Sequence, residues 1–389
     1  MSTHKAIIIA ARRTVIGRIG GLHRARGLAH LAAPVVRAVL ADAGLDPALV
    51  GEIIVGNAAG GGGNPARAIA LAAGLSETVP AYSLDRQCAS GLDAIIAGAH
   101  LIEIGGAQAV IAGGAESPST APWRVEKPAN TYTGTPHFFT QAAFTPAGME
   151  DPGMIQAAEN VAQEFNVSRE RQDAYALESH RRATAARHAG LLAAEIVPLA
   201  SGASEMQDEC PRPALSARLL ARMPPLLPHG TITAGNSCPV NDGAAMVLLV
   251  SGQVHRQLGS PPGLLLVDAA AAGVAPRILG MAAVPAFRAA CERAGLAPAE
   301  LTAIEFNEAF AAQVLATLDA LSLDTGSVNT EGGALALGHP YGASGAVLVT
   351  RLFSRLIRNP TLSARGPAAA MIAAAGGLGV TAIFKPTHN

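Results

Sequence analysis

The sequence predicts an α/β protein with a largely parallel sheet, made of two similar halves and interrupted by an inserted segment. Three observations carry this. Short apolar strands alternate with Ala-rich helices over residues 5–117, as in layered folds whose helices cover a sheet. The alternation gives way between 118 and 240 to irregular runs such as NTYTGTPHFFTQAAFTPAG. It then returns with the same order of elements, and a repeated order of elements signals a duplicated unit. The expected organisation is an N-terminal half over 1–117, completed by about 241–260, a loop or cap domain over 118–240, and a C-terminal half over 261–389.

In the first half, KAIIIAA reads as a strand and is followed by a helix near 27–43. EIIVGNAA precedes a helix near 64–73, AYSLD leads into the helix of CASGLDAIIAGAH, and AVIAGGAES is the next strand. The insert holds one clear helix pair, AAENVAQEFNV and RERQDAYALESHRRATAARHAG, the second with Ser168 as its N-cap. In the last part GLLLVDAA, a helix near 282–294, AIEFNEAF, ALGHPYGASGAVLVTRLFSRL and AAAMIAAAGGLGVTAIF follow. EIIVGNAA corresponds to AIEFNEAFAA, DRQCASGLDAIIAGAHLI to LGHPYGASGAVLVTRLF, and AVIAGGAES to AMIAAAGGLG. This correspondence sets Cys88 and His339 at matching helix N-termini, able to meet in one cleft.

Composition narrows the function. The chain has 389 residues, 50% hydrophobic but only 4% aromatic, with a net charge of −1. Interspersed charges of this balance leave no nucleic-acid footprint. No run reaches the ~20 apolar residues of a membrane span. The start, MSTHKAIIIAARRT, reads as a first strand rather than a targeting peptide, which points to the cytoplasm. Cys88, Cys210, Cys238 and Cys291 lie far apart, with no metal-ligand spacing and no need for disulfides in a chain of this size.

Cys88 stands where a strand turns into a helix, a position that stabilises an anion and lowers a thiol pKa. Ser90 and Gly91 beside it would let a substrate approach the backbone. His339 stands in the Gly-rich loop GGALALGHPYGASGA, outside any apolar stripe, where a neutral imidazole can take the Cys88 proton or hold a carbonyl. Asn307 and Glu308 occupy a strand end, either fixing a water or an imidazole or merely satisfying loop backbone groups. AAAGGLG offers backbone N–H donors for an oxyanion. Arg212 can meet a phosphate as a fork donor. Asn241, Asp242 and Gly243 suggest a tight turn.

Together, RRTVIGRIGG, CASGLDA, AGGAES, AAENVA, EIVP, GTITAGN, NDGAA, PRILGMAAVPA, NEAFAAQ, GGALALGHPYGASGA and GGLG resemble the thiolase family of acetyl-CoA acetyltransferases and 3-ketoacyl-CoA thiolases. The resemblance runs the length of the chain. It implies a five-layer αβαβα fold, a cap domain that binds CoA, and homodimers or homotetramers. It also implies an acyl-enzyme on Cys88, activation by His339, and Asn307 holding a water in one oxyanion hole. CoA thioesters are the substrates and no cofactor is tightly bound. For CoA the matching positions are Arg212, Met154, Cys238, where the family commonly has serine, and Ala234 in GTITAGN. A histidine often precedes the methionine; here it is Gly153.

One departure matters. Thiolases carry a second cysteine near the C-terminus, the acid/base for the substrate Cα proton, and Ala373 stands at that position. The backbone of Ala375 can still complete a second oxyanion hole. A methyl group cannot take a proton, and acid–base help is worth ~10²–10⁴-fold. His339 or Cys238 acts as the base instead, or the natural reaction avoids the abstraction, or Ala373 is an engineered replacement. Three functions are compatible: a thiolase-type acyltransferase, a ketosynthase-like or simple acyl-transfer enzyme, and a weakly catalytic acyl-CoA-binding subunit.

Overall fold

The protein is described by a computed structural model covering residues 5–130, 132, 134–139, 141–359 and 366–387. The first residues, 1–4, lie outside the described residues. The first strand, β1 (Ala6–Arg13), is followed by the short β2 (Gly17–Arg18) and helix α1 (Leu28–Ala43). Gly44 ends α1 in the left-handed conformation, φ 57°. Next come β3 (Val50–Gly56), α2 (Pro65–Ala72, capped by the Asn64 side chain), β4 (Ala81–Leu84), α3 (Ser90–Glu103) and β5 (Ala109–Glu116). The insert contributes a hairpin, β6 (Arg124–Glu126) and β7 (His137–Phe139), and helices α4 (Met154–Glu164), α5 (Arg169–His188) and α6 (Ala217–Ala221). Ser168 caps α5 through the Arg171 N–H, as its sequence position predicts.

The chain then re-enters the sheet as β8 (Asn241–Ser251) and turns through α7 (Gly252–Gln257). Asn241, Asp242 and Gly243 therefore open a strand and form no turn, a correction to the sequence reading. The second unit runs β9 (Gly263–Gly273), α8 (Ala283–Ala294), β10 (Ala303–Phe306), α9 (Ala311–Leu321), α10 (Ala334–Leu337), α11 (Tyr341–Phe353), β11 (Ala368–Ala374) and β12 (Leu378–Thr387). No helix among the described residues is long and apolar enough to cross a membrane.

The strands lie in the order β10-β11-β12-β9-β1-β8-β5-β3-β4, with β2 on β8. An isolated parallel bridge between Ile304 and Val328 stands on β10 where β4 stands on β3. The order is thus the same read outward from the β1–β9 seam in either direction. The sheet is mixed, not largely parallel: β3 pairs β4 and β5 in parallel and β10 pairs β11 in parallel, while the remaining pairs are antiparallel. The reason is topological. Strands joined by helical crossovers share one direction, but the last strand of each unit, β8 or β12, slots in antiparallel beside the first.

Strands β1, β5, β8, β11 and β12 are buried almost throughout because both faces of the sheet are covered. Along β11, Ala370, Ile372 and Ala374 face a central core shared with α3 and α11, while Ala369, Met371 and Ala373 face an outer core beneath α8 and α9. On the other unit Val110 and Ala112 face the same centre, and Ile111 faces α1 and α2. The resulting layers are helix, sheet, helix pair, sheet, helix. At the centre α3 and α11 cross almost backbone to backbone: a Cβ on Gly91 would lie 2.6 Å from the Gly342 oxygen. That crossing brings the N-terminal ends of the two central helices side by side.

Candidate active site

Cys88 sits on a sharp elbow between β4 and α3. Gln87 just before it has φ 51°, a left-handed conformation uncommon for a non-glycine residue. The elbow is held locally. The Ser90 hydroxyl donates to the Gln87 carbonyl (2.6 Å) and accepts from the Arg86 N–H (2.8 Å), and Asp85 accepts from the Gln87 N–H (2.7 Å). Ser90 and Gly91 thus serve the backbone turn and the helix crossing; neither provides room for a substrate, as the sequence reading had it.

His339 precedes α11 in the matching position. Its own N–H donates to Asn241 Oδ1 (2.9 Å), and its ring Nδ1 lies 2.6 Å from the Ser344 hydroxyl. Nε2 is buried and has no hydrogen-bond partner among the described residues. The ring meets Tyr341 edge-on at 5.4 Å between centroids. A serine hydroxyl can donate to Nδ1 or accept from it, so Ser344 suits either tautomer.

A cavity of about 450 Å³ joins these parts. Its wall includes Cys88, His339, Cys238, Met154, Tyr341 and Ala375. A smaller cavity is lined by Cys88, Met154 and Ala373. Asn307 is buried at the end of β10, 1% exposed, and its Nδ2 also lacks a partner among the described residues. Glu308 beside it is fully engaged: it accepts from the Tyr175 and Ser179 hydroxyls, Asn329 Nδ2 and the Leu335 N–H. Of the two, Glu308 is the one that satisfies surrounding groups. Arg212 and Ala234 do not line the cavity; the Arg212 N–H donates to His180 Nδ1 (3.1 Å), and Ala234 is exposed. Phe144 lines the cavity, whereas Phe138 is exposed and meets Trp123 edge-on.

Burial dominates the electrostatics. It pushes the Cys88 thiol up to about 12, reinforced by the Glu116 carboxylate, while the N–H groups of Cys88 and Ala375 pull the other way. This corrects the expectation of a lowered thiol pKa: Cys88 precedes the first helical turn, and desolvation outweighs the helix end. Burial also lowers His339 to about 4. At neutral pH the site therefore rests as thiol and neutral imidazole. Such a pair can pass the proton only as the sulfur attacks.

Comparison with known proteins identifies the family. The family models "Thiolase, N-terminal domain" and "Thiolase, C-terminal domain" match residues 6–253 and 262–386. The chain belongs to the thiolase family. It is 40% identical over 381 residues to "Putative acetyl-CoA C-acetyltransferase VraB" of Staphylococcus epidermidis, covering 97% of this chain and 98% of that one. It is 38% identical over 383 residues to the protein of the same name from Staphylococcus aureus, with 98% and 99% covered. The crystal structure of the Bacillus anthracis acetyl-CoA acetyltransferase superposes with a TM-score of 0.92 at 33% identity, covering 99% of this chain and 100% of that one. This thiolase is accordingly an acyltransferase.

Three supporting residues escaped the sequence reading. Ser344 orients the His339 ring, Asn241 holds its backbone, and Glu116 accepts from the N–H groups of Ala58, Ala59 and Gly342, tying the loop after β3 to the start of α11. Only Ser344 left a local signal, five residues after the histidine in the same motif.

Proposed function

We propose that this thiolase forms an acyl-enzyme on Cys88 from an acyl-CoA. The carrying observation is the shared cavity, which joins the Cys88 thiol, the unpartnered Nε2 of buried His339 and the Ala375 backbone. His339 Nε2 takes the thiol proton as the sulfur attacks the thioester carbonyl. The N–H groups of Cys88 and Ala375 stabilise one oxyanion. His339 and a water held by Asn307 Nδ2 stabilise the other. Met154 and Cys238 flank the pantetheine arm, and Arg212 and Ala234, outside the cavity, meet the nucleotide portion. Homodimeric or homotetrameric assembly and a cytoplasmic setting belong to the same proposal, as do the boundaries 1–117, 118–240 and 261–389.

The second stage is a Claisen condensation with another CoA thioester, or thiolysis in reverse. The names of the relatives point to acetyl-CoA as first substrate. Ala373 adds only a methyl group beside Cys88, which favours as a second possibility a reaction that needs no Cα deprotonation, such as decarboxylative condensation or plain acyl transfer.

Intact-mass measurement after incubation with acetyl-CoA tests the first stage. An acetyl adduct that disappears in Cys88→Ser is the expected result; no adduct with any acyl-CoA tried would sink the proposal. Ala373→Cys tests the second stage. Thiolysis of acetoacetyl-CoA is expected to rise by up to ~10²-fold, and an unchanged rate would mean that position 373 is outside the chemistry or that another group already moves the proton.

A further inference from the structure

We infer that Cys238 supplies the acid/base function that Ala373 cannot, so that the proton on the substrate Cα is moved by a thiol on a different wall of the cavity. The inference rests on the acyl-enzyme proposal for Cys88. Three observations carry it.

First, the candidates are few. The titratable side chains on the cavity wall are Asp85, Cys88, Arg124, Cys238, His339 and Tyr341. Cys88 is the nucleophile and His339 holds its proton. Asp85 is committed to the elbow through the Gln87 N–H. A guanidinium does not give up a proton at neutral pH. Tyr341 packs edge-on against the His339 ring, and although burial raises both its phenol and the Cys238 thiol, the thiol has the lower ordinary pKa. Cys238 is left.

Second, its position is fixed from both sides. The Cys238 N–H donates to the Ala309 carbonyl (2.9 Å), two residues beyond Asn307. Ser237 bridges to Phe310, and Val240 bridges to His339. Cys238 therefore sits on a short segment stitched between the two residues whose buried nitrogens, His339 Nε2 and Asn307 Nδ2, have no partner among the described residues.

Third, Cys238 and Cys88 line the same cavity. Burial raises the Cys238 thiol, and a charge on Cys88 raises it further, as fits two sulfurs sharing a poorly solvated space.

The protons balance. Cys88 sulfur forms a bond to the acyl carbon, its proton passes to His339, and the carbon–sulfur bond to CoA breaks. The departing CoA sulfur takes the Cys238 proton, which leaves Cys238 as thiolate. That thiolate removes a Cα proton from the second acyl-CoA. The freed electron pair forms the carbon–carbon bond to the acyl carbon on Cys88, the Cys88–acyl bond breaks, and the Cys88 sulfur recovers the proton held by His339.

The test follows two signals in one sample of the full-length enzyme with acetyl-CoA in D₂O. One is the acetyl adduct on Cys88 by intact mass. The other is deuterium in the acetyl methyl of CoA thioester. In Cys238→Ala the ratio of the exchange rate to the final extent of acylation should fall by ~10²-fold or more. In Cys238→Ser, which keeps the size and polarity, it should fall comparably because a hydroxyl is a far weaker acid. A ratio within threefold of the parent in either variant overturns the inference, as does an unmodified enzyme that acylates without exchanging. Absence of the adduct in the unmodified enzyme is a separate result and overturns the acyl-enzyme proposal beneath it.

Discussion

Replacing Gly91 by alanine tests whether the helix crossing positions the chemistry. The added Cβ would lie 2.6 Å from the Gly342 oxygen and 3.0 Å from the Ala346 nitrogen, against an ordinary contact of 3.4 Å or more. The shortfall to the oxygen is about 0.8 Å. Both neighbours are backbone atoms of α11, so no side chain can swing aside. Alanine gains up to ~1 kcal/mol of helix propensity over glycine, but overpacking typically costs ~1–3 kcal/mol, and a clash with backbone lies at the upper end. The helices must separate by several tenths of an ångström. Cys88 precedes one and His339 the other, and a misplacement of about 1 Å can cost ~10²-fold in rate. We expect acylation of Gly91→Ala by acetyl-CoA, followed by intact mass over time, to slow by roughly 10–100-fold, with a lower thermal midpoint. Acylation within threefold of the parent, with an unchanged midpoint, would refute the idea that this crossing sets the nucleophile–base geometry.

Ser344→Ala removes the partner of His339 Nδ1 and should slow acylation by about tenfold, the worth of one hydrogen bond, with Ser344→Thr recovering part of it. Glu308→Ala strands four buried donors, each costing ~1–3 kcal/mol, and a drop in thermal midpoint larger than that of Ser344→Ala should follow. With Cys88 raised from 9.0 to about 12 in the fold, the unfolded thiol ionises first as pH climbs. The unfolded chain then binds fewer protons, so stability falls above about pH 9 by roughly 1 kcal/mol per pH unit from this thiol. Urea titrations at pH 8 and 10 should record that loss, and Cys88→Ala should lessen it. Since burial keeps His339 neutral down to about 4, the rate of acylation should hold level from pH 8 to pH 6; a steep decline across that span would contradict a neutral imidazole at rest.

Much of this protein is legible along the chain because the signals are local. The alternation of strand and helix gives the elements, Ser168 caps α5 where its sequence position says, and the repeated order of elements gives two equivalent units. Cys88 and His339 stand out because glycine-rich elbows are short-range features. The mixed sheet was not legible. Where β8 and β12 insert depends on which neighbour leaves the fewest unpaired edges and buries both faces, a comparison between whole arrangements. The rise in the Cys88 pKa was hidden for the same reason. A helix end is visible in sequence, but the desolvation that outweighs it comes from atoms contributed by both units.

By itself the sequence pointed to the family, picked out Cys88 and His339 as candidate nucleophile and base, and placed no sulfur at Ala373. Those are properties of residue type at a motif position. Tertiary structure alone decided that Asn241 and Ser344 hold the histidine, that Gly91 serves a helix crossing, and that Cys238 shares a cavity with Cys88. Each of these joins segments far apart in the chain or depends on how two elements meet. Such proximity is set by packing the two halves of the sheet on one central helix pair, and no local pattern of residues encodes it.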